Sequence, residues 1–322
     1  MRLDARLAVT VGVVTIGFVV ADLLWSRNSN VSLDLQSYIE FMKVIVAITG
    51  LYWIMVFVER RVAGDHARIG RFIAYTAGST KTLIWNGSLF IPLGFASVYF
   101  MYLIAATDRP LMDESLALID ARLGFDWLAF LDVANAHPLI AKVLVFAYHS
   151  VGPQIPVLFL LLAFTGQSVR LTETIAILAV SSALTAAFMA WIPAAGAYAY
   201  FHPIAADYNN FTPRAGMWHY SELMKLRSGE PFSLLVTKAE GLATFPSYHT
   251  QLGIFVVYAL RNTKLLVWPV GVLNTIMIVS TLPEGGHHLF DVVAGIAIGL
   301  LTIACVRVVQ WRRLDFAEPV SI

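Results

Sequence analysis

Eight apolar stretches, at about residues 7–26, 38–58, 83–106, 138–163, 171–195, 246–261, 265–283 and 287–310, constrain this chain more than any other feature. Roughly twenty apolar residues in a helix cross a bilayer. Inside hydrocarbon a backbone must satisfy its own polar groups, so these stretches are predicted as helices. The fold class that follows is an all-α integral membrane protein with about eight transmembrane helices. The sixth and seventh stretches are short. Composition agrees, with 58% hydrophobic and 13% charged residues, where soluble domains carry about a quarter charged. A net charge of +1 gives no hint of nucleic-acid binding. The single cysteine, Cys305, lies in the last stretch, so no disulfide forms within one chain, and it reads as a packing residue. Arg2 and Arg6 precede the first stretch as in a signal peptide. No small-x-small cleavage pattern follows, however, and the expectation is a retained helix.

Lysine and arginine placement sets the expected orientation. Arg2, Arg6, Arg60, Arg61, Arg68, Arg71, Lys81, Arg170, Arg261, Lys264, Arg307, Arg312 and Arg313 all fall on one side of an alternating eight-helix path. The other side holds Arg27, a loop where Arg109 and Arg122 are outnumbered by Asp108, Asp113, Glu114, Asp120 and Asp126, the long 196–245 loop and the short Glu284-Gly285-Gly286 turn. Both termini are therefore expected in the cytoplasm, in the setting of a bacterial inner membrane.

Two signatures then face outward together. One is Pro246-Ser247-Tyr248-His249, and the other runs from Ser280 through Gly285-Gly286-His287-His288 to Asp291. In a helix, His287 and Asp291 share a face at i,i+4. A carboxylate there holds one imidazole nitrogen as N–H and leaves the other as a nucleophile or base. His249, from a separate segment, supplies a second imidazole acting as an acid across a shared pocket. Two histidines, one backed by a carboxylate, suit phosphoryl transfer, and the first amides of a helix offer a phosphate cradle. Metal binding is the first rival, but His287 and His288 point about a hundred degrees apart on a helix, against both reaching one ion. A multi-helix transporter is the second rival; no internal repeat with matching broken helices supports it.

Pro246-Ser247-Tyr248-His249 resembles the P-S-x-H motif of the type 2 phosphatidic acid phosphatase (PAP2) superfamily, and Ser280, His287 and Asp291 fall at the spacing of its S-R-x5-H-x3-D motif. The phrasing from Ala243 to Thr250, with Gly285-Gly286-His287, resembles the inositol phosphorylceramide synthase-like branch. The resemblance covers residues 241–299 in detail and, by helix arrangement, the chain from about residue 83. It implies a six-helix catalytic core over 83–310, with outer loops 107–136 and 196–245. Two extra helices and a basic cytoplasmic loop precede it over 1–82, and a cytoplasmic tail follows over 311–322. It also implies His287 as nucleophile, His249 as general acid and base, Asp291 as the group orienting His287, lipid substrates, and no metal or cofactor. Thr281 stands where that motif has arginine, and no K-x6-R-P lies upstream, although Lys225, Arg227 and Lys238 occupy the region. Ser247, the amides of Gly285 and Gly286, and Arg227 or Lys225 are expected to hold phosphate oxygens, with Tyr248 and His288 completing the substrate-binding set. The predicted activity is lipid phosphotransfer through a phosphohistidine; hydrolysis of a lipid phosphate or polyprenyl pyrophosphate is the alternative.

Three other features carry expectations. Residues 107–136 read as one or two helices lying on the outer surface, a lid or a wall guiding a lipid. His149, about three turns below Pro138, reads as a neutral packing histidine too deep for chemistry. The loop from 196 to 245 is turn-rich around Tyr208 to Arg214 and helical from His219 to Leu226.

Overall fold

The computed structural model describes residues 3–204, 207–212, 217–242 and 244–311. Arg2, Ala243, Arg214, Arg312, Arg313 and the rest of the expected tail lie outside the described residues. The chain is mostly helical, in the order α1 Leu3–Trp25, α2 Leu35–Arg61, α3 Arg68–Ala105, α4 Asp113–Arg122, α5 Trp127–Asn135, α6 Pro138–Phe164 and α7 Ser168–Trp191. There follow α8 Ala197–Phe201, α9 Trp218–Arg227, α10 Tyr248–Ala259, α11 Lys264–Ser280 and α12 Leu289–Trp311.

Six of these helices, α1, α2, α3, α6, α7 and α12, are long and apolar enough to cross a membrane. The other two expected spans are α10, of 12 residues, and α11, of 17. At 1.5 Å per residue, α10 covers only about 18 Å. Its apolar stretch had included the turn at Pro246-Ser247 and ended at another turn after Leu260. Such a short helix is tolerable because α6, α7, α11 and α12 all pack against it, so the irregular backbone at its ends lies against protein. Elsewhere the apolar side chains face outward, Val46, Phe57, Phe146, Leu265 and Trp268 among them, as helices in lipid require.

The core sits on α7. Its buried face mixes Leu171, Ile175 and Leu178 with Thr172, Ser181, Ser182 and Thr185. Small and hydroxyl residues let helices approach and hydrogen-bond across the interface. Thr172 donates to Asn86 of α3 at 2.9 Å, and Ser181 donates to Gln251 of α10 at 2.6 Å. Asn274 of α11 donates to Gln154 of α6 at 2.7 Å. The helix α1 buries Leu7, Val11 and Phe18 against α3 and α7, whereas α2 packs on α3 and buries only Ser37. The expected boundary at residues 82 and 83 falls inside α3, which runs unbroken from Arg68.

One feature departs from an all-helical plan. Val31–Leu33 (β1) pairs in parallel with Phe232–Leu234 (β2), Ser32 opposite Ser233. Ser37 donates to the Leu234 carbonyl at 3.0 Å and Tyr99 to that of Val31 at 3.3 Å. The α1–α2 connection is thereby tied to the long 196–245 segment. The ends of α3, α7 and α11 and the starts of α6, α10 and α12 meet this segment, with α4, α5, α8 and α9, at one end of the bundle.

Candidate active site

The two signatures meet where α10 and α12 begin. Ser247 caps α10: its hydroxyl accepts from the Thr250 N–H and, at 3.1 Å, from the Thr250 hydroxyl. The Ser247 N–H donates to the Asp291 carbonyl at 3.0 Å, stitching the first turn of α10 to that of α12. Gly295 permits this approach, since a Cβ there would lie 2.6 Å from the Ser247 carbonyl oxygen. His249 and His287 consequently open on one cavity of about 620 Å³.

Within it, His287 Nδ1 lies 3.3 Å from Asp291 Oδ2, and both side chains are buried. The same carboxylate oxygen accepts the His288 N–H at 2.9 Å. An imidazole whose Nδ1–H rests on a carboxylate keeps Nε2 as its free lone pair. His249 stacks on Tyr148 of α6, ring centroids 4.6 Å apart and planes 19° apart. The walls are apolar along α3, with Phe90, Leu93, Val98 and Met101, and polar at Ser182, Tyr248 and Glu240. Gly285 and Tyr248 both line the cavity, and the Tyr248 hydroxyl pairs with Ser182 at 3.1 Å.

Other predicted contacts are engaged elsewhere. Arg227 does not reach the cavity: its guanidinium donates to the carbonyls of Thr107, at 2.7 Å, and Arg109, tying α9 to the segment after α3. Lys225 is exposed and also absent from the lining. Among the described residues, no lysine or arginine lines the cavity. The Ser247 hydroxyl is fully buried in its cap. Gly286 turns with φ of 66°, and its carbonyl accepts the Ala197 N–H at 2.7 Å outside the lining. The leading amides of α12 are occupied too, since Asp120 accepts from Leu289 at 2.8 Å and Phe290 at 2.9 Å.

His288 is likewise no headgroup contact. Its fully buried ring sits between Asp113, 3.5 Å from Nε2, and Asp120, 3.6 Å from Nδ1. Asp113 in turn accepts from the N–H groups of Ala195 at 2.9 Å and Gly196 at 2.7 Å. The predicted outer helix α4 is thus a bolt holding the start of α12 and the end of α7 in place. Neighbouring α5 adds Trp127, which donates to the Leu282 carbonyl at 3.2 Å.

Two histidines enter unforeseen. His149 is not a deep packing residue: its side chain is 53% exposed, lines the cavity, and lies 2.9 Å from Glu284. His219 of α9 contacts the Ala195 carbonyl through Nε2 at 2.9 Å. Burial pushes its imidazole below the usual value. Neither residue belongs to a local motif; the sequence signal for His149 is an ionisable group inside an apolar span.

A profile of the PAP2 superfamily matches residues 114–305, more than half of the chain. The chain belongs to the PAP2 superfamily. Membership places it among lipid enzymes of the phosphatase and phosphotransferase type, and its apolar helices make it an integral membrane protein. The matched stretch holds both PAP2 signatures, whereas α1, α2 and α3, including the apolar wall on α3, precede it. Comparison with curated proteins and with solved structures returns no match.

Proposed function

We propose that this PAP2 protein is a lipid phosphotransferase working through a phosphohistidine, with relatives in the inositol phosphorylceramide synthase-like branch. The observation that carries the reading is the convergence of an Asp291-held His287 and a separate His249 on a single cavity with an apolar wall. His287 Nε2 attacks phosphorus and the bond to the departing alcohol breaks, the alcohol oxygen taking a proton from His249. An incoming hydroxyl then gives its proton to His249 and attacks the phosphohistidine, releasing His287. Asp291 steadies the charge that His287 gains in the first step. Transfer is preferred over cleavage of a phosphomonoester because the described lining offers histidines and hydroxyls but no fixed cation for a dianion.

The catalytic core in this reading is the bundle around α7 with α10 and α12. The basic loops face the cytoplasm, and the cavity end faces the exterior or periplasm. The test supplies purified protein with a labelled phosphodiester lipid, with and without alcohol acceptors such as inositol and diacylglycerol. Acceptor-dependent product, abolished by His287→Ala and by His249→Ala in folded protein, is expected. Release of free phosphate or dephosphorylated lipid regardless of acceptor refutes transfer in favour of hydrolysis. Full activity in either variant refutes the mechanism.

A further inference from the structure

Another imidazole lining the cavity, that of His149, is paired with a carboxylate behind it, and the reaction above leaves the pair idle. His149 Nε2 lies 2.9 Å from Glu284 Oε1, and the Glu284 carboxylate is fully buried. Its other oxygen accepts the Thr212 N–H at 3.1 Å, so the carboxylate is held from both sides. Its turn is fixed as well, with Tyr198 donating to the Pro283 carbonyl at 2.7 Å. A carboxylate removed from water is costly unless it keeps such partners, and here it fixes the imidazole's orientation. A neutral imidazole with Nε2–H on Glu284 carries its free lone pair on Nδ1. That atom has no hydrogen-bond partner among the described residues, while about half of the side chain is exposed and the residue lines the cavity.

The result is an oriented hydrogen-bond acceptor beside the reacting centre. A Cβ on Gly285 would meet the Thr281 carbonyl oxygen at 2.7 Å, Tyr148 at 2.9 Å and His287 at 3.1 Å, so the turn that carries Glu284 also carries the nucleophile three residues on and packs on Tyr148, the neighbour of His149. Of the other polar lining groups, the hydroxyls of Ser182 and Tyr248 pair with each other, and Glu240 adds a carboxylate, which accepts. This chemistry selects a hydrogen-bond donor.

We propose that His149, aligned by Glu284, is the specificity-determining subsite for a hydroxyl group on the alcohol attached to, or about to be attached to, the phosphate. The assignment rests on the proposed placement of phosphorus between His287 and His249. A substrate lacking that hydroxyl leaves a polar atom unpaired, and the expected discrimination is roughly ten- to a hundred-fold.

Binding tests this without turnover. In nanodiscs, the inert His287→Ala protein is titrated with phosphatidylglycerol and with phosphatidylmethanol, which differ in headgroup hydroxyls. A preference of about tenfold or more for phosphatidylglycerol is expected. It should collapse to near unity in His287→Ala combined with His149→Phe. His149→Trp should do the same while keeping one N–H donor for Glu284 and no acceptor, which separates recognition from packing. If the hydroxyl belongs to the acceptor instead, free glycerol should bind the phosphatidylmethanol complex only when His149 is present. Absence of both effects, or their survival in both His149 variants, overturns the subsite. Wild-type inertness toward every phosphodiester refutes the reaction, and the binding preference reads independently of it.

Discussion

Gly295→Ala probes whether the site exists because α10 and α12 touch. The added Cβ would stand 2.6 Å from the Ser247 carbonyl oxygen and 3.1 Å from Thr250 Cβ. Ordinary contact begins near 3.4 Å, so the first turn of α10 must retreat by about 0.8 Å, and the close atom is backbone with no rotamer to escape into. The Ser247–Asp291 hydrogen bond, 3.0 Å long, stretches with it, and His249, two residues on, moves relative to His287. Overpacking of this kind costs about 1–3 kcal/mol. A displacement near 1 Å in a reacting pair costs about a hundredfold in rate. Gly299→Ala is the control: one turn on, the nearest atom is the flexible tip of Ile254 at 3.3 Å. Initial rates on a labelled phosphodiester lipid and Tm in the same detergent should show Gly295→Ala slowed about a hundredfold, with Gly299→Ala near wild type. Equal rates for all three proteins would refute the claim that this contact sets the catalytic geometry.

Arg227→Ala should lower stability by about 1–2 kcal/mol through loss of its bonds to the Thr107 and Arg109 carbonyls, with KM changed less than about twofold; a tenfold rise in KM would restore the phosphate-clamp role. Asp120→Asn should cost about 1–3 kcal/mol, read as a lower Tm, because an amide cannot accept from both Leu289 and Phe290 as the carboxylate does; an unchanged Tm would contradict the bolt. His219 is held neutral in the fold by burial, while the unfolded chain takes up a proton near 6.5. Its contribution is therefore complete above about pH 6.5 and lost as pH falls from there toward the lower folded value. His219→Gln, which keeps an amide N–H for Ala195, should flatten that part of the Tm–pH curve; an undiminished slope would place the titration elsewhere.

The α4 acids show why part of the site was hidden. Asp113 and Asp120 were legible as negative charges on one side of the membrane, which is a statement about loops and holds wherever the side chains point. Their partners, the amides at 195–196 and 289–290 and the His288 ring, come from segments more than seventy residues away. Nothing local announces such pairings. The free amides expected at the start of α12 follow correctly from helix geometry, yet the tertiary fold delivers a carboxylate to them first.

By itself the sequence determined the helical membrane character, because a bilayer leaves a backbone no other way to satisfy its hydrogen bonds. It also put His287 four positions from Asp291, but His287 lies two residues before α12 begins at Leu289, so the carboxylate meets it across the turn that opens the helix rather than along a helix face. Helix number was less secure, since apolar runs do not reveal where a backbone turns, and α10 proved to be 12 residues long. Only the tertiary structure decided that Arg227 faces carbonyls, that Ser247 is consumed as a cap, and that His149 meets Glu284 across 135 positions of chain. Those outcomes depend on which helices pack together and how closely, and such contacts are set by side-chain shape across the bundle rather than by any neighbour in the chain.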